Sequence, residues 1–432
     1  MSSAPSNNPP LPGAHLMLAM TVLAVYICMI DRIAISIAII PMAEEQGWSP
    51  TVQGAVMSAF FGGYLLLQIP AGYLSDRFGG KWVLGLGVIF WSLFTLLTPI
   101  SAMLGLSVLF LCRFLMGMAE SVTWPSIYAL YSQWIHPDRR ASAVGLMNSG
   151  IAGGSVIALI CTPWLITVWS WQGAFYLYGV LGVAWFFVWI VSAQSRPSPL
   201  PQWHSSAALT TDAGSALALE ASEGAAAFPR LTIGRMLRSR AVWAIAIAHI
   251  SINWSLYLIL SWFPTFVSQE LGADLQTAGF LALAPTLMSL VMAPVAGRLF
   301  DTLVSRGYDR RKVRRVMQTT AFVGITLAML AVTLTDSLLI SVAVITVSNA
   351  LTAFSIGGFA TNHLDIAPNQ SGLLMGVTNT LAAVSSSVSV FVSGWIQDLS
   401  GGWDAVFYLA AIVSVFGAAC YGLLADVDRE FD

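Results

Sequence analysis

The chain has 432 residues and a formal net charge of only -2; 57% of it is hydrophobic and 9% charged. Soluble globular proteins carry about 25% charged residues, so an ordinary soluble protein, a disordered chain and a nucleic-acid binder are all excluded. No Walker loop, HExxH or CxxC pattern occurs, and the four cysteines (Cys28, Cys112, Cys161, Cys420) sit in apolar stretches, which reads as packing.

In chain order, residues 1–14 are rich in Ser, Asn and Pro and lack the basic region of a cleaved leader, so the first apolar segment is expected to stay as a helix. Twelve apolar segments of helical length follow, near 16–40, 51–74, 82–100, 104–134, 141–166, 172–194, 240–268, 275–299, 317–335, 337–361, 371–397 and 403–425. In lipid each must satisfy its own backbone, which predicts an all-α membrane protein of twelve transmembrane helices. The basic residues alternate with the segments. Arg77 and Lys81 follow segment 2, Arg139 and Arg140 segment 4, and Arg196 to Arg240 segment 6. Arg298 to Arg315 follow segment 8, and Arg429 lies in the tail. The odd-numbered connections carry acids and no Lys or Arg, which by the positive-inside rule places both termini in the cytoplasm.

The stretch 195–239 is the one long polar segment and reads as a cytoplasmic linker between a six-helix bundle at 1–194 and a second at 240–432. The halves repeat. Segment 2 ends Ala71-Gly72-Tyr73-Leu74-Ser75-Asp76 and segment 8 ends Ala296-Gly297-Arg298-Leu299-Phe300-Asp301, each after a proline and before a basic loop. Such internal repeats mark transporters built from two related bundles. The run from Gly72 through Asp76, Arg77, Gly79 and Gly80 to Lys81 resembles the signature loop of the major facilitator superfamily. Gly72, Asp76, Arg77, Lys81 and Asp301 are therefore read as a conformational latch rather than a substrate site.

All but two of the nineteen Lys and Arg residues fall in the predicted cytoplasmic segments. The exceptions are Arg32 and Arg113, and among the acids only Asp31 and Glu120 lie deep inside a segment. A charge at mid-bilayer costs about 2.5–3.5 kcal/mol on insertion scales, so these four line a polar cavity or pair with one another. A structural ion-pair network is the plainer reading. Arg113 and Glu120, seven residues apart, share one helix face at about 10 Å along the axis, too far for a full salt bridge. That leaves room for an anion at Arg113, whose planar fork matches a carboxylate, and makes Glu120 the candidate proton carrier with Asp31 second. Being adjacent, Asp31 and Arg32 cannot both face one cavity squarely. Tyr64, Trp124, Tyr128, Asn253, Tyr257 and Asn379 complete the candidate substrate-binding set with Arg32 and Arg113. Asn349 on segment 10 and Trp254 are further candidates, and His249 reads as satisfying a helix contact rather than relaying protons.

These residues carry a sharper resemblance. Asp31-Arg32, the run Arg113-Phe-Leu-Met-Gly117-Met-Ala-Glu120 to Pro125, Asn253-Trp254-Ser-Leu-Tyr257, and Asn362-His363-Leu364-Asp365-Ile366-Ala367-Pro368 with Gly372 to Thr380 are similar to the anion:cation symporter family. That family includes sialin, the vesicular glutamate transporters and bacterial sugar-acid transporters. The resemblance implies proton-coupled import of a small organic anion by alternating access, with Arg113 a substrate or gating arginine, Glu120 and Asp31 the proton-linked acids, and Tyr64 and Asn379 substrate contacts. Two departures bear on specificity. Met29 stands where galactonate-type members have Tyr, and Ile151 where they have Gln, so a less hydroxylated or aromatic carboxylate is expected over a polyhydroxylated sugar acid.

The expectation is thus a transporter, not an enzyme. It has no metal and no cofactor beyond H+ as coupling ion. Its partners are the organic anion, protons and the lipid bilayer, without nucleic acid, and it works as a monomer. Animal relatives have a long glycosylated loop after helix 1, whereas only residues 41–50 stand there, so a bacterial inner membrane is expected. An anion exchanger or exporter without proton coupling, and a non-transporting anion sensor, are the alternatives.

Overall fold

The computed structural model describes residues 13–135, 140–194, 233–236, 238–367, 371–428 and 430–431. Twelve helices among the described residues are long and apolar enough to cross a membrane, and no strand occurs among those residues. They are α1 (Ala14–Gln46), α2 (Pro50–Phe78), α3 (Gly80–Leu104), α4 (Leu106–Glu120, continued as Thr123–Trp134), α5 (Arg140–Val168) and α6 (Trp171–Ser192). After a short turn at Ile233–Met236 come α7 (Arg240–Gln269), α8 (Leu275–Leu281, continued as Leu283–Ser305) and α9 (Arg310–Val332). The last three are α10 (Leu338–Thr352), α11 (Ser371–Ser400) and α12 (Asp404–Leu424). The expected linker falls outside the described residues except at 233–236 and 238–239.

The count agrees with the sequence, but several ends move. α2 runs to Phe78, α8 to Ser305, and α9 begins at Arg310, so Arg77, Arg298 and Arg310 to Arg315 lie on helix ends rather than in loops. Basic residues in a first turn oppose the helix dipole. In α9 they are compensated by Asp309, whose carboxylate caps Lys312 N at 2.8 Å, and by acids from elsewhere in the chain. α10 also ends early. Its expected last turn is a 3-10 stretch, Ala353–Ile356, and a series of turns leads to the short helix His363–Ile366.

Span 4 is a broken helix. Pro125 has no N–H to offer the carbonyl of Ser121, so the hydrogen-bond ladder is interrupted there, although Ser121 and Val122 keep right-handed helical dihedrals. The Thr123 hydroxyl donates to Glu120 O at 2.7 Å and covers part of the break. Glu120 thus ends the first piece of α4, mid-membrane.

Packing is by close backbone approach. α2 crosses α4 where Gly63 lies against the Phe114 carbonyl and Gly117 against the Phe60 carbonyl; a Cβ at either glycine would overlap that oxygen. Small residues permit such crossings, and in lipid the contact itself must supply the attraction. α1 packs on α5, α3 on α6, α7 on α11 and α12, and α9 on α10 and α12. Large side chains such as Leu111, Phe187, Val191, Leu327 and Ile412 point outward and are exposed, as a lipid-facing surface requires.

The C-terminal segment after α12 is fastened back onto the bundle. Arg311 pairs with Asp426 at 2.5 Å and Asp428 at 2.8 Å, and Arg315 donates to Ala425 O. The Ser239 hydroxyl donates to Glu430 at 2.6 Å, and the backbone N–H groups of Glu430 and Phe431 both reach Ile366 O at 2.9 Å. Phe431 is buried.

Candidate functional site

A cavity of about 1080 Å³ lies between the first six helices and the last six. One wall carries Met29, Arg32, Tyr64, Gln68, Trp124, Tyr128 and Ile151; the other carries Asn253, Tyr257, Ser289, Asn349, Met375 and Asn379. It is closed at the end bearing the acidic connections. There Thr51 donates to Asp398 at 2.5 Å, Gly54 lies against the Val390 carbonyl, and Gly394 meets the Pro50 carbonyl. Tyr128 and Met375, nearer the basic end, are exposed into the opening.

Six of the expected substrate residues line this cavity: Tyr64, Trp124, Tyr128, Asn253, Tyr257 and Asn379. Arg32 joins them and carries the decisive interaction. Its Nη2 and Nε donate to Glu120 Oε2 at 2.6 and 3.1 Å. The Arg32 side chain is 9% exposed and Glu120 0%, so the acid stands behind the base and only the base meets the cavity. The guanidinium also lies over the Phe60 and Tyr64 rings at 5.1 and 5.0 Å. Such contacts help hold a partly desolvated cation in place.

Arg113 is placed differently from the sequence expectation. It is 1% exposed and does not line the large cavity; it lies over the same Phe60 ring at 5.3 Å, beside a much smaller void. One nitrogen contacts Met116 Sδ at 3.2 Å, and Nε has no hydrogen-bond partner. Both arginines thus lie against Phe60 and line the small void, but only Arg32 reaches the large cavity. Asp31 is also behind the wall, 0% exposed, with both carboxylate oxygens unpartnered. Of the adjacent pair it is Arg32 that faces the cavity, as the 100° offset between neighbouring helical residues requires.

Sequence reading overlooked Phe60 and Gln68, although they stand four residues either side of Tyr64 and so share its face. It also counted Arg314 and Asp365 among cytoplasmic charges. The structure buries both. Arg314 Nε donates to Asp365 at 2.5 Å, and its Nη1 bonds Gly357 O, Gly358 O and Thr361 at 3.1, 3.2 and 2.8 Å. Among the described residues, this pair joins the four expected membrane charges as charged side chains withdrawn from solvent.

Of the expected latch, Lys81 donates to Ile190 O of α6 at 3.0 Å, and Arg77 folds over Tyr73 and Phe78 of its own helix. Asp301 is exposed on α8. Gly72 and Asp76 lie on α2, but their side-chain environment is outside the described residues.

The profile of the Major Facilitator Superfamily matches residues 21–390. The chain belongs to the major facilitator superfamily. It is 36% identical over 406 residues to an ascorbate transporter, chloroplastic, of Arabidopsis thaliana, covering 94% of this chain and 74% of that one. It is 36% identical over 411 residues to sodium-dependent phosphate transport protein 1, chloroplastic, of the same plant, covering 95% and 78%. Human sialin is 32% identical over 388 residues, covering 88% and 77%. The fold matches a bacterial homologue of the human lysosomal transporter Spinster in an inward-facing, occupied conformation, with a TM-score of 0.78 at 14% identity, covering 98% and 97% of the two chains. These relatives are named as transporters, in keeping with a non-enzymatic role. The expected bacterial inner membrane is corrected: relatives named chloroplastic, at 35–36% identity, point to a eukaryotic organellar membrane. The short 41–50 connection argued only against the animal glycosylated loop and does not separate bacterial from plastid membranes.

Proposed function

We propose that this transporter imports a small organic anion together with protons, by alternating access, and that Arg32 rather than Arg113 receives the anion in the state seen here. The observation that carries this is the Arg32–Glu120 pair, with Arg32 on the cavity wall and Glu120 buried behind it. In the empty site the guanidinium is neutralised by Glu120. Protonating Glu120 releases Arg32 to take the substrate carboxylate, and losing the proton lets Glu120 displace the substrate. Both the empty and the loaded site are electroneutral, which avoids carrying a bare charge through the membrane. Asp31, buried without a partner, is the second acid that can exist protonated. Arg113, beside Phe60 and outside the large cavity, awaits the anion or Asp31 in the opposite conformation.

The cavity chemistry supports an organic anion over inorganic phosphate. Its walls offer five aromatic rings (Phe61, Tyr64, Trp124, Tyr128, Tyr257) and four amides (Gln68, Asn253, Asn349, Asn379) beyond Arg32. Met29 and Ile151 also line it, which favours a substrate with few hydroxyls. The state described is open toward the end that bears the basic residues.

The test is Glu120→Gln in proteoliposomes. Accumulation driven by an imposed pH gradient should vanish, while exchange of labelled substrate continues. Normal accumulation by that variant, or accumulation driven by a sodium gradient with no response to pH, overturns the reading.

A further inference from the structure

His249 of α7 and His363 of the segment between α10 and α11 meet through one hydroxyl. His249 Nδ1 lies 3.3 Å and His363 Nε2 3.0 Å from Thr378 Oγ1 of α11, and all three residues are buried. His363 Nδ1 lies 3.2 Å from Ala360 O, and Thr378 Oγ1 lies 3.2 Å from Met375 O. A carbonyl only accepts, so His363 Nδ1 carries a hydrogen, and in the neutral ring Nε2 is a bare acceptor. The Thr378 hydroxyl then donates to Nε2, and His249 Nδ1–H donates to Thr378. Add one proton at His363 Nε2 and the hydroxyl turns to Met375 O, accepting from both rings. Every group is satisfied with or without that proton, and only one rotor moves.

We propose that His249, Thr378 and His363 form a second proton-binding site, which holds one proton on His363 Nε2 behind the Asn253–Met375–Asn379 wall of the cavity. It is independent of Glu120. Its link to the wall is direct: Asn253 Nδ2 donates to His249 O at 3.0 Å, and Met375 supplies the carbonyl to which the hydroxyl turns.

The charged and titratable groups around it are Arg314 from α9, its partner Asp365, and Tyr421 of α12, which receives Asn362 Nδ2 at 3.3 Å; Phe359 packs on both rings. Burial and then the Arg314 guanidinium hold the His363 imidazole below its ordinary range, so the site is empty at neutral pH and fills in acid. Filling it sets a second positive charge near the arginine that anchors Gly357, Gly358 and Thr361. The proton thereby loosens the α10–α11 connection.

Histidine-selective 15N NMR of the purified full-length chain in micelles, titrated from neutral to acid, tests this. His363 Nε2 and His249 Nδ1 should shift at one shared midpoint. Thr378→Val should abolish the shared step, Thr378→Ser should keep it, and Glu120→Gln should leave it unchanged. In proteoliposomes, His363→Gln should flatten the acid side of the uptake profile while accumulation persists at neutral pH. A shared midpoint that survives in Thr378→Val overturns the proposal. So do two rings that stay neutral throughout the titration, or that titrate independently in the native chain.

Discussion

The two walls of the cavity are built from different chemistry. The first six helices carry all four expected membrane charges, with both arginines against Phe60 and an ion pair closed between Arg32 and Glu120. The last six present neutral amides to the same space, back them with two imidazoles on a shared hydroxyl, and place a buried ion pair, Arg314–Asp365, at the basic end. A charge-bearing wall can exchange a proton for an anion; a neutral wall reads the shape and polar groups of what was bound. A division of this kind lets the energetics of coupling and the choice of substrate vary separately.

Removing charge from the first wall is the harshest way to break the contrast. Arg32→Ala should lower uptake about a hundredfold, since charge-assisted hydrogen bonds contribute about 1.5–3 kcal/mol each, and the same change at Arg113 should cost less in the conformation seen here. Transport assays and binding by the protein held open at its basic end would separate the two; equal losses in that binding would contradict their placement. Next is the frame that holds the first wall. Gly117→Ala forces a Cβ into the Phe60 carbonyl, and overpacking of that kind costs about 1–3 kcal/mol, measurable as a lower melting temperature in detergent. The second wall should respond more mildly. Asn379→Ala should raise KM about fivefold, the contribution of one neutral hydrogen bond near 1 kcal/mol, with the pH dependence of accumulation unchanged. The smallest effect belongs to the contact shared by both walls at the closed end. Thr51→Val removes the hydroxyl bonded to Asp398, an exposed contact worth at most about 1 kcal/mol, and should shift labelling of a single cysteine near Gln53 toward the outward-open state.

The fold was legible because lipid makes its demands on composition. Twelve long apolar segments and the alternation of basic residues need no tertiary information. The membrane charges were legible for the same reason: Asp31, Arg32, Arg113 and Glu120 each interrupt an apolar run. Their pairing was not. Arg113 and Glu120 share a helix face, but the break induced by Pro125 ends the first piece of α4 at Glu120, whose carboxylate meets Arg32 of α1, 88 residues away in sequence. Arg314 escaped notice because it stands in a run of five basic residues, Arg310 to Arg315 with Val313 among them, and periodicity cannot say which one turns inward. His249 and His363 lie on different elements, and only the fold of the α10–α11 connection brings them within reach of Thr378.

The fastened C-terminal segment has a practical consequence for handling the protein. Its hold combines carboxylate–guanidinium pairs at Arg311 with backbone bonds to Ile366 and a buried Phe431. Ions in the buffer weaken the exposed pairs, since screening acts within about 10 Å at 0.1 M salt, but they leave the aromatic anchor in place. Extraction at low ionic strength therefore preserves the complete clasp. A purification handle is better attached at the N-terminal end, because one joined close behind Phe431 would strain against that buried ring.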